Sequence, residues 1–412
     1  MKIVSLSPQQ FHDFVSAHPL NNYMQTHKYA LVMADFDYTY DFIGYENNGE
    51  IVAATMILSK VITGKTKYGY APKGFLINYY DELTLKAFLK DLKEYYLNQD
   101  YIFIKFNPEI IIGSTTKEQK YTMSYNGNVR LIDILKENGV KRRLELKEFD
   151  LIEPKFLAYI DLKKFDIKNI DRNFRKKIRK CLGSGMSLVT GDVREMDKLY
   201  PFLKTKRPIV YYRTFYNSFD KDKSIDLLFV KIDFEKRLTH IREKYEKEQL
   251  LNDELNNIIQ KDPSQGNLIK KMSSDRRLDV LKDVILRATE DLKKHKEAIV
   301  GGALVIKHFN RVTILASGFD RNYKGLNPNH FLHYAIIERY KPYFNYLDIG
   351  GVTGKFEGET KYKGLDEFKL KWNPILFEMI GEFDLICSEK TFKRLIKTSF
   401  IEDEFNKHLD HE

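Results

Sequence analysis

Between Phe234 and Glu297 the chain shows no strand-like alternation, and charge dominates. Phe234, Leu238, Ile241 and Tyr245 recur at spacings of four, three and four; Leu251, Leu255 and Ile258 continue the apolar stripe after a shift of register. Lys261-Asp-Pro-Ser-Gln-Gly-Asn267 then interrupts it with a turn sequence that no helix would cross. Beyond the turn, Leu278, Leu281, Ile285, Ala288 and Leu292 repeat at three and four. Narrow apolar stripes on two charged helices joined by a short turn predict an antiparallel helical hairpin of the coiled-coil kind. Each arm of ~25 residues would reach about 38 Å at 1.5 Å per residue. Such a hairpin is either a structural protrusion or a charged arm that grips something long.

The flanks of this segment share a repeat. Asp41-Phe-Ile-Gly-Tyr45 meets the hairpin turn Asn48-Gly49 and then Ile51–Leu58. A helical pattern follows from about Leu83 to Tyr96, then a buried-looking strand, Tyr101–Phe106. Late in the chain, Ile299–Ile306 is followed by a turn at Asn310, a strand at Val312–Ala316, a helix over Asn329–Arg339 and a strand at Tyr346–Ile349. The spacing predicts duplicated α/β domains with the helical arm inserted in the second. A boundary falls near Asp150–Lys155, where a charged stretch ends at Pro154. The expected division is residues 1–152, then 153–233 with 298–412, with 234–297 as the arm. A length of 412 residues suits two or three domains at roughly 100–200 residues each.

The net charge of +10 favours anionic partners: nucleic acid, phosphorylated substrates or a lipid surface. Two cysteines, Cys181 and Cys387, provide no disulfide framework, which suits a reducing cytosol. Neither a secretory leader nor a membrane span is expected, because no basic-then-apolar start and no long apolar run occurs.

Several motifs bear on chemistry. The densest basic run spans Asp171–Lys180, with six Lys/Arg in the nine residues from Arg172. Ile170, Phe174, Ile178 and Cys181 lie three or four apart, so one face can be buried, while Arg172, Arg175, Lys176 and Arg179 crowd the rest. That face is either solvated or a phosphate contact on RNA or a nucleotide. Asp348-Ile-Gly-Gly-Val-Thr-Gly354 has neither dinucleotide nor P-loop spacing, so NAD and ATP are excluded. Gly350 and Gly351 instead mark a turn where backbone approaches a ligand. No acetyl-CoA loop follows any strand. His330 and His333 have no Cys, Asp or Glu set to complete a metal shell, and no Gly-x-Ser-x-Gly elbow appears. Neither a metal nor a cofactor is expected. Lys369 lies between Phe368 and the only tryptophan, Trp372. Spacing alone reads it as a solvent-facing residue of a strand; in an aromatic setting, a desolvated ammonium would stabilise developing negative charge.

In their order along the chain, these segments resemble the FemABX family of peptidoglycan peptidyltransferases, the FemA and MurM-type members with a coiled-coil arm above all. Asn22-Tyr-Met-Gln-Thr26 resembles the family's "F-x-Q-S", Pro72-Lys-Gly-Phe-Leu-Ile-Asn78 its "R-G-P-x-x-D", and Ile104-Lys-Phe-Asn-Pro108 its "R-x-D-P". Arg172–Gly185 is similar to its "R-x-x-I-x-K-A…G" helix, and Thr205-Lys-Arg207 with Tyr212-Arg-Thr-Phe-Tyr216 to "T-x-x-R…YY". Asp348-Ile-Gly-Gly351, Phe368-Lys369 and Ile380-Gly-Glu-Phe383 resemble "D-F-G-G…F-K…G-D-F".

The resemblance implies two GNAT-like domains and a seryl-tRNA-synthetase-like arm. It implies transfer of glycine, alanine or serine from aminoacyl-tRNA to the stem-peptide amine of a peptidoglycan precursor, either lipid II or UDP-MurNAc-pentapeptide. The donor ester is already activated, so no ATP is needed. Lys369 would stabilise the oxyanion. Arg213, Phe215, Tyr216, Phe368, Trp372, Gly350, Gly351 and Asn107 would line the precursor site, and Arg172, Arg175, Lys176 and Arg179 would contact tRNA phosphates. DNA is not an expected partner. The location implied is the cytoplasm, with peripheral contact at the inner membrane face. The chain departs from the family at Met33, where a Lys is frequent, and at Asn107 and Asn78, each in place of an Asp. A non-catalytic tRNA- or precursor-binding paralogue and an acyl-CoA-dependent N-acyltransferase are the alternatives.

Overall fold

The computed structural model describes residues 1–144, 148–149, 151–204, 207–356, 358 and 360–396. Residues 145–147 and Asp150 of the expected junction, Thr205 and Lys206 of the Thr205–Arg207 motif, and everything after 396 lie outside the described residues.

The first half opens with β1 (Lys2–Ser5), α1 (Pro8–Ala17) and α2 (His27–Ala34). A meander of β2 (Thr39–Asn47), β3 (Glu50–Thr63) and β4 (Thr66–Ala71) follows. Helix α3 (Glu82–Leu97) then crosses over and delivers β5 (Tyr101–Phe106) parallel to β4. After it come β6 (Ile111–Thr115), β7 (Ser124–Tyr125), α4 (Arg130–Glu137) and β8 (Val140–Arg142).

The second half starts with β9 (Phe156–Asp161) and α5 (Arg172–Leu182), then repeats the plan. Strand β10 (Met186–Gly191) leads through α6 (Met196–Leu199) and α7 (Ile209–Asp220) to β11 (Ile225–Asp233). The arm, α8 (Phe234–Lys261) and α9 (Gln265–Lys294), precedes β12 (Glu297–His308) and β13 (Arg311–Phe319). Crossover helix α10 (Pro328–Tyr340) brings β14 (Tyr346–Val352) parallel to β13. The described chain ends with α11 (Lys363–Leu370), β15 (Ile375–Met379), β16 (Phe383–Ile386) and α12 (Glu389–Ile396).

The repeat read from the sequence is present, with one strand more per copy than expected. Thr66-Lys-Tyr-Gly-Tyr-Ala71 is a strand that the pattern does not reveal, because its first two positions are polar and Gly69 interrupts its apolar run. In strand order, β2–β3–β4–α3–β5 matches β11–β12–β13–α10–β14. The arm therefore takes the place of the two-residue turn Asn48-Gly49, whose φ angles of 51° and 87° are those a tight hairpin turn requires.

The arm helices run 28 and 30 residues, about 42 Å and about 45 Å at 1.5 Å per residue. They exceed the expected length because the turn closes within Asp262–Ser264 and Gln265 is already helical. Leu238, Ile241 and Ala288 form their buried seam, and Arg237 pairs with Asp291 at 2.9 Å where the arm leaves the sheet.

Two sheets result, ordered β1-β2-β3-β4-β5-β16-β8 and β10-β11-β12-β13-β14-β9-β15-β6-β7. They correct the contiguous division at residue 152. Strands β6 and β7 belong to the second sheet, and β16 to the first. The reason lies in the parallel crossovers, which leave β5 and β14 with an open edge. An antiparallel strand from elsewhere in the chain covers each: β16 on β5 and β9 on β14. Each lobe has its own core, and a third core lies between the lobes, where Tyr23, Tyr29 and Val32 meet Phe215, Phe219 and Leu304.

Candidate functional site

Strand β14 ends in Asp348-Ile-Gly-Gly351, and α11 folds back over it. The return is fixed by Asp366, 4% exposed, whose carboxylate accepts hydrogen bonds from the backbone N–H and hydroxyl of Thr353. Lys369 therefore stands on the last turn of a helix, which corrects its expected place on a solvent-facing strand. Its Nζ donates to the Gly351 carbonyl at 2.6 Å. Both glycines are needed. Gly350 has φ +83°, and a Cβ there would lie 3.3 Å from the Lys369 ammonium. A Cβ on Gly351 would meet Pro154 of the interlobe linker at 2.5 Å.

Asp348 is 8% exposed and accepts from the Gly350 N–H at 2.8 Å. Burial pushes its carboxyl above the ordinary value, against the pull of Arg311 and Lys369.

Phe368, half-buried, and Trp372, 0% exposed, flank Lys369 and join an aromatic cluster with Phe174, His330 and His333. Trp372 thus supplies packing, not a contact surface for substrate. Phe174 is the inward residue of the basic helix α5 and meets Phe368 at 5.5 Å between centroids. The structure therefore brings the basic helix and Lys369 onto adjoining elements. Arg172, Lys176 and Arg179 face solvent, and half-buried Arg175 donates to the Lys168 carbonyl at 2.7 Å.

Burial, with neighbouring Lys177 and Lys369, lowers His330 and His333 from 6.5 to about 4. The unfolded chain then binds more protons than the folded one across that window. Stability should be complete above pH 6.5 and fall as the pH drops towards 4. Urea denaturation at pH 7 and pH 5 checks this, and His330→Leu should reduce the difference. The Cys181 and Cys387 thiols are pushed by burial up to about 12 and stay protonated.

Helix α7 does not join Lys369 as expected. Phe215 is 2% exposed and Tyr216 is 7%; both pack in the core between the lobes. Arg213 pairs with Asp197 at 2.6 Å on the outer surface. Asn107, 5% exposed, is a structural pin whose Oδ1 accepts from the Lys73 N–H at 2.9 Å and the Tyr70 hydroxyl at 3.3 Å. Met33 is half-buried against the interlobe core, and exposed Asn78 accepts from the Tyr80 N–H at 3.1 Å.

Ion pairs and charged groups that spacing did not reveal complete the picture. Lys73 pairs with Glu153 at 3.3 Å, and the Glu153 charge acts on Tyr23, Tyr29, Tyr70 and Arg207. The Arg207 guanidinium lies 4.4 Å from the Tyr211 ring centre. Glu109 accepts from Arg311 and Asn22, and Arg311 Nη1 donates to the Tyr159 hydroxyl at 2.7 Å. Burial alone would push Glu109 up, but Arg311, Lys73 and Asn22 hold it at about 2. Arg207 and Lys73 stood inside quoted motifs; for Glu153, Glu109 and Arg311 no local pattern exists.

These features define a two-lobed α/β protein with a lysine poised over a glycine-rich strand end. The same fold is seen in the crystal structure of FemX, with TM-score 0.75 and 20% identity over 96% of this chain and 100% of that one. Residues 6–397 match the FemAB family, and the chain belongs to that family. It is similar to the lipid II:glycine glycyltransferase of Staphylococcus epidermidis, 24% identical over 408 residues, covering 95% of this chain and 94% of that protein. The Staphylococcus aureus protein of the same name is 22% identical over 410 residues, with 95% and 94% covered. Among the described residues, no helix is long and apolar enough to cross a membrane.

Proposed function

We propose that this chain transfers an aminoacyl group, glycine first among the candidates, from aminoacyl-tRNA to the stem-peptide amine of a peptidoglycan precursor. The observation that carries this reading is the Lys369 ammonium, held at 2.6 Å by the Gly351 carbonyl over a glycine-rich strand end. Such a donor is fixed before the reaction, so it can meet an ester oxygen as that oxygen becomes anionic. Membership of the FemAB family and full-length similarity to proteins named for glycyl transfer to lipid II support the acceptor class. The exposed basic face of α5, on an element adjoining Lys369, supports an RNA-borne donor, because cations facing solvent bind phosphates by releasing counterions. The arm suits the same long partner. The reaction belongs in the cytoplasm, with peripheral contact at the membrane face where a lipid-linked acceptor is met.

The test offers charged tRNA bearing labelled glycine, alanine or serine, together with lipid II or UDP-MurNAc-pentapeptide. Label is expected in the precursor with glycyl-tRNA and lipid II. Absence of label with every donor and both acceptors would reject the reading.

A further inference from the structure

An amine that attacks an ester must first lose a proton, and Lys369 cannot take it. Four carboxylates come into question: Glu109, Glu382, Asp348 and Glu153. Glu109 is committed to Arg311 and Asn22. Glu382, 2% exposed, faces Lys105 at 3.4 Å and accepts the Glu153 backbone N–H at 3.2 Å. Asp348 is 8% exposed and bonded to its own turn. Glu153 differs: its side chain is 24% exposed, and its charge partner is Lys73, 8% exposed, at 3.3 Å.

Position also favours Glu153. It stands in the linker between the lobes, next to Pro154, which packs on Gly351. Gly351 is the residue whose carbonyl holds Lys369. The charges of Glu153 and Asp348 both act on Tyr23, and Lys369 acts on Asp348. Asn107, tied to Lys73 on the same side, is an amide and cannot accept a proton.

We infer that Glu153 is the carboxylate that binds the acceptor's ammonium and takes its proton. This rests on the transfer reaction proposed above. The ammonium gives one proton to Glu153, and the neutral nitrogen bonds to the ester carbonyl carbon. The oxyanion forms beside Lys369. Collapse breaks the carbon–oxygen bond to the ribose, the nitrogen's second proton goes to the ribose oxygen, and Glu153 releases its proton to water. The charged or titratable groups facing Glu153 are Lys73, Arg207, Glu382, Tyr23, Tyr29 and Tyr70.

The test compares wild type with Glu153→Gln and Glu153→Asp on two acceptors: lipid II with lysine at the third position, and its analogue carrying an aminooxy group, which is uncharged at neutral pH. Glu153→Gln should lower kcat/KM for the amine by about 10²-fold or more, as loss of a general base does. Transfer to the aminooxy acceptor should stay close to wild type, and activity on the amine should recover as the pH is raised. Glu153→Asp should keep the wild-type pH profile at reduced rate, which covers failure of the Gln variant to fold. Equal losses on both acceptors, or no loss, would overturn the proposal. Should wild type transfer to neither acceptor, nor to UDP-MurNAc-pentapeptide, the transfer reading fails by itself, and calorimetry decides on Glu153. Preference for the free amine over its Nε-acetyl form should vanish in Glu153→Gln; an unchanged or absent preference would overturn the assignment.

Discussion

Lys369→Met is expected to lower kcat for aminoacyl transfer by about 10²–10³-fold, the usual cost of one preorganised oxyanion donor. Methionine keeps the length and apolar stem of lysine, so the half-buried last turn of α11 and its packing by Phe368 should survive. Stability should change little, and KM for the precursor should hold, because the lost interaction is made in the transition state and not in the ground state. Arginine should not rescue: its planar fork is bulkier than an ammonium that already sits 3.3 Å from the space above Gly350. Single-turnover transfer of labelled glycine, with thermal melting alongside, measures both quantities. Wild-type turnover in Lys369→Met would remove the ammonium from the reaction.

The second large effect is on stability. Lys105 is 0% exposed, with its Nζ 3.0 Å from Asp384 and 3.4 Å from Glu382. Arg143 Nε donates to Asp384 at 2.7 Å. Lys105→Met would leave buried carboxylate charge without its central cation, and breaking a buried pair from one side costs about 3–5 kcal/mol. Burial pushes the Asp384 carboxyl up, but the Lys105 and Arg143 charges bring it below 3.8 in the folded protein. That contribution is present above pH 3.8 and is lost as acid protonates the group. Without Lys105 the carboxylates protonate more readily, so the deficit should shrink between pH 7 and lower pH. Adding Glu382→Gln should restore part of the stability, since the amide can still accept the Glu153 N–H. Urea unfolding of the single and double variants tests this. A double variant no more stable than Lys105→Met would contradict it.

What the sequence disclosed follows from how local each cause is. The arm, the basic helix and the crossover helices α3 and α10 are written in spacings of three and four within one segment, and the structure has all of them. The turn Asn48-Gly49 was legible because left-handed φ angles select those residue types. Strand β4 is not legible because polar Thr66 and Lys67 open it and Gly69 interrupts the alternation. Spacing alone puts Lys369 on a strand because Lys363–Leu370 is too short to show a helical stripe, and what fixes that helix is Asp366 reaching back thirteen residues to Thr353. Glu153, Glu109 and Arg311 could not be read at all. Arg311 lies 202 residues from Glu109, and only the folded chain makes them neighbours. The same applies to Phe215, Tyr216 and Trp372, whose aromatic character fits a binding wall and a core equally well until burial decides.

The exchange of β6, β7 and β16 means that each half of the chain is completed by strands of the other. Neither half is therefore a complete object when cut at the linker.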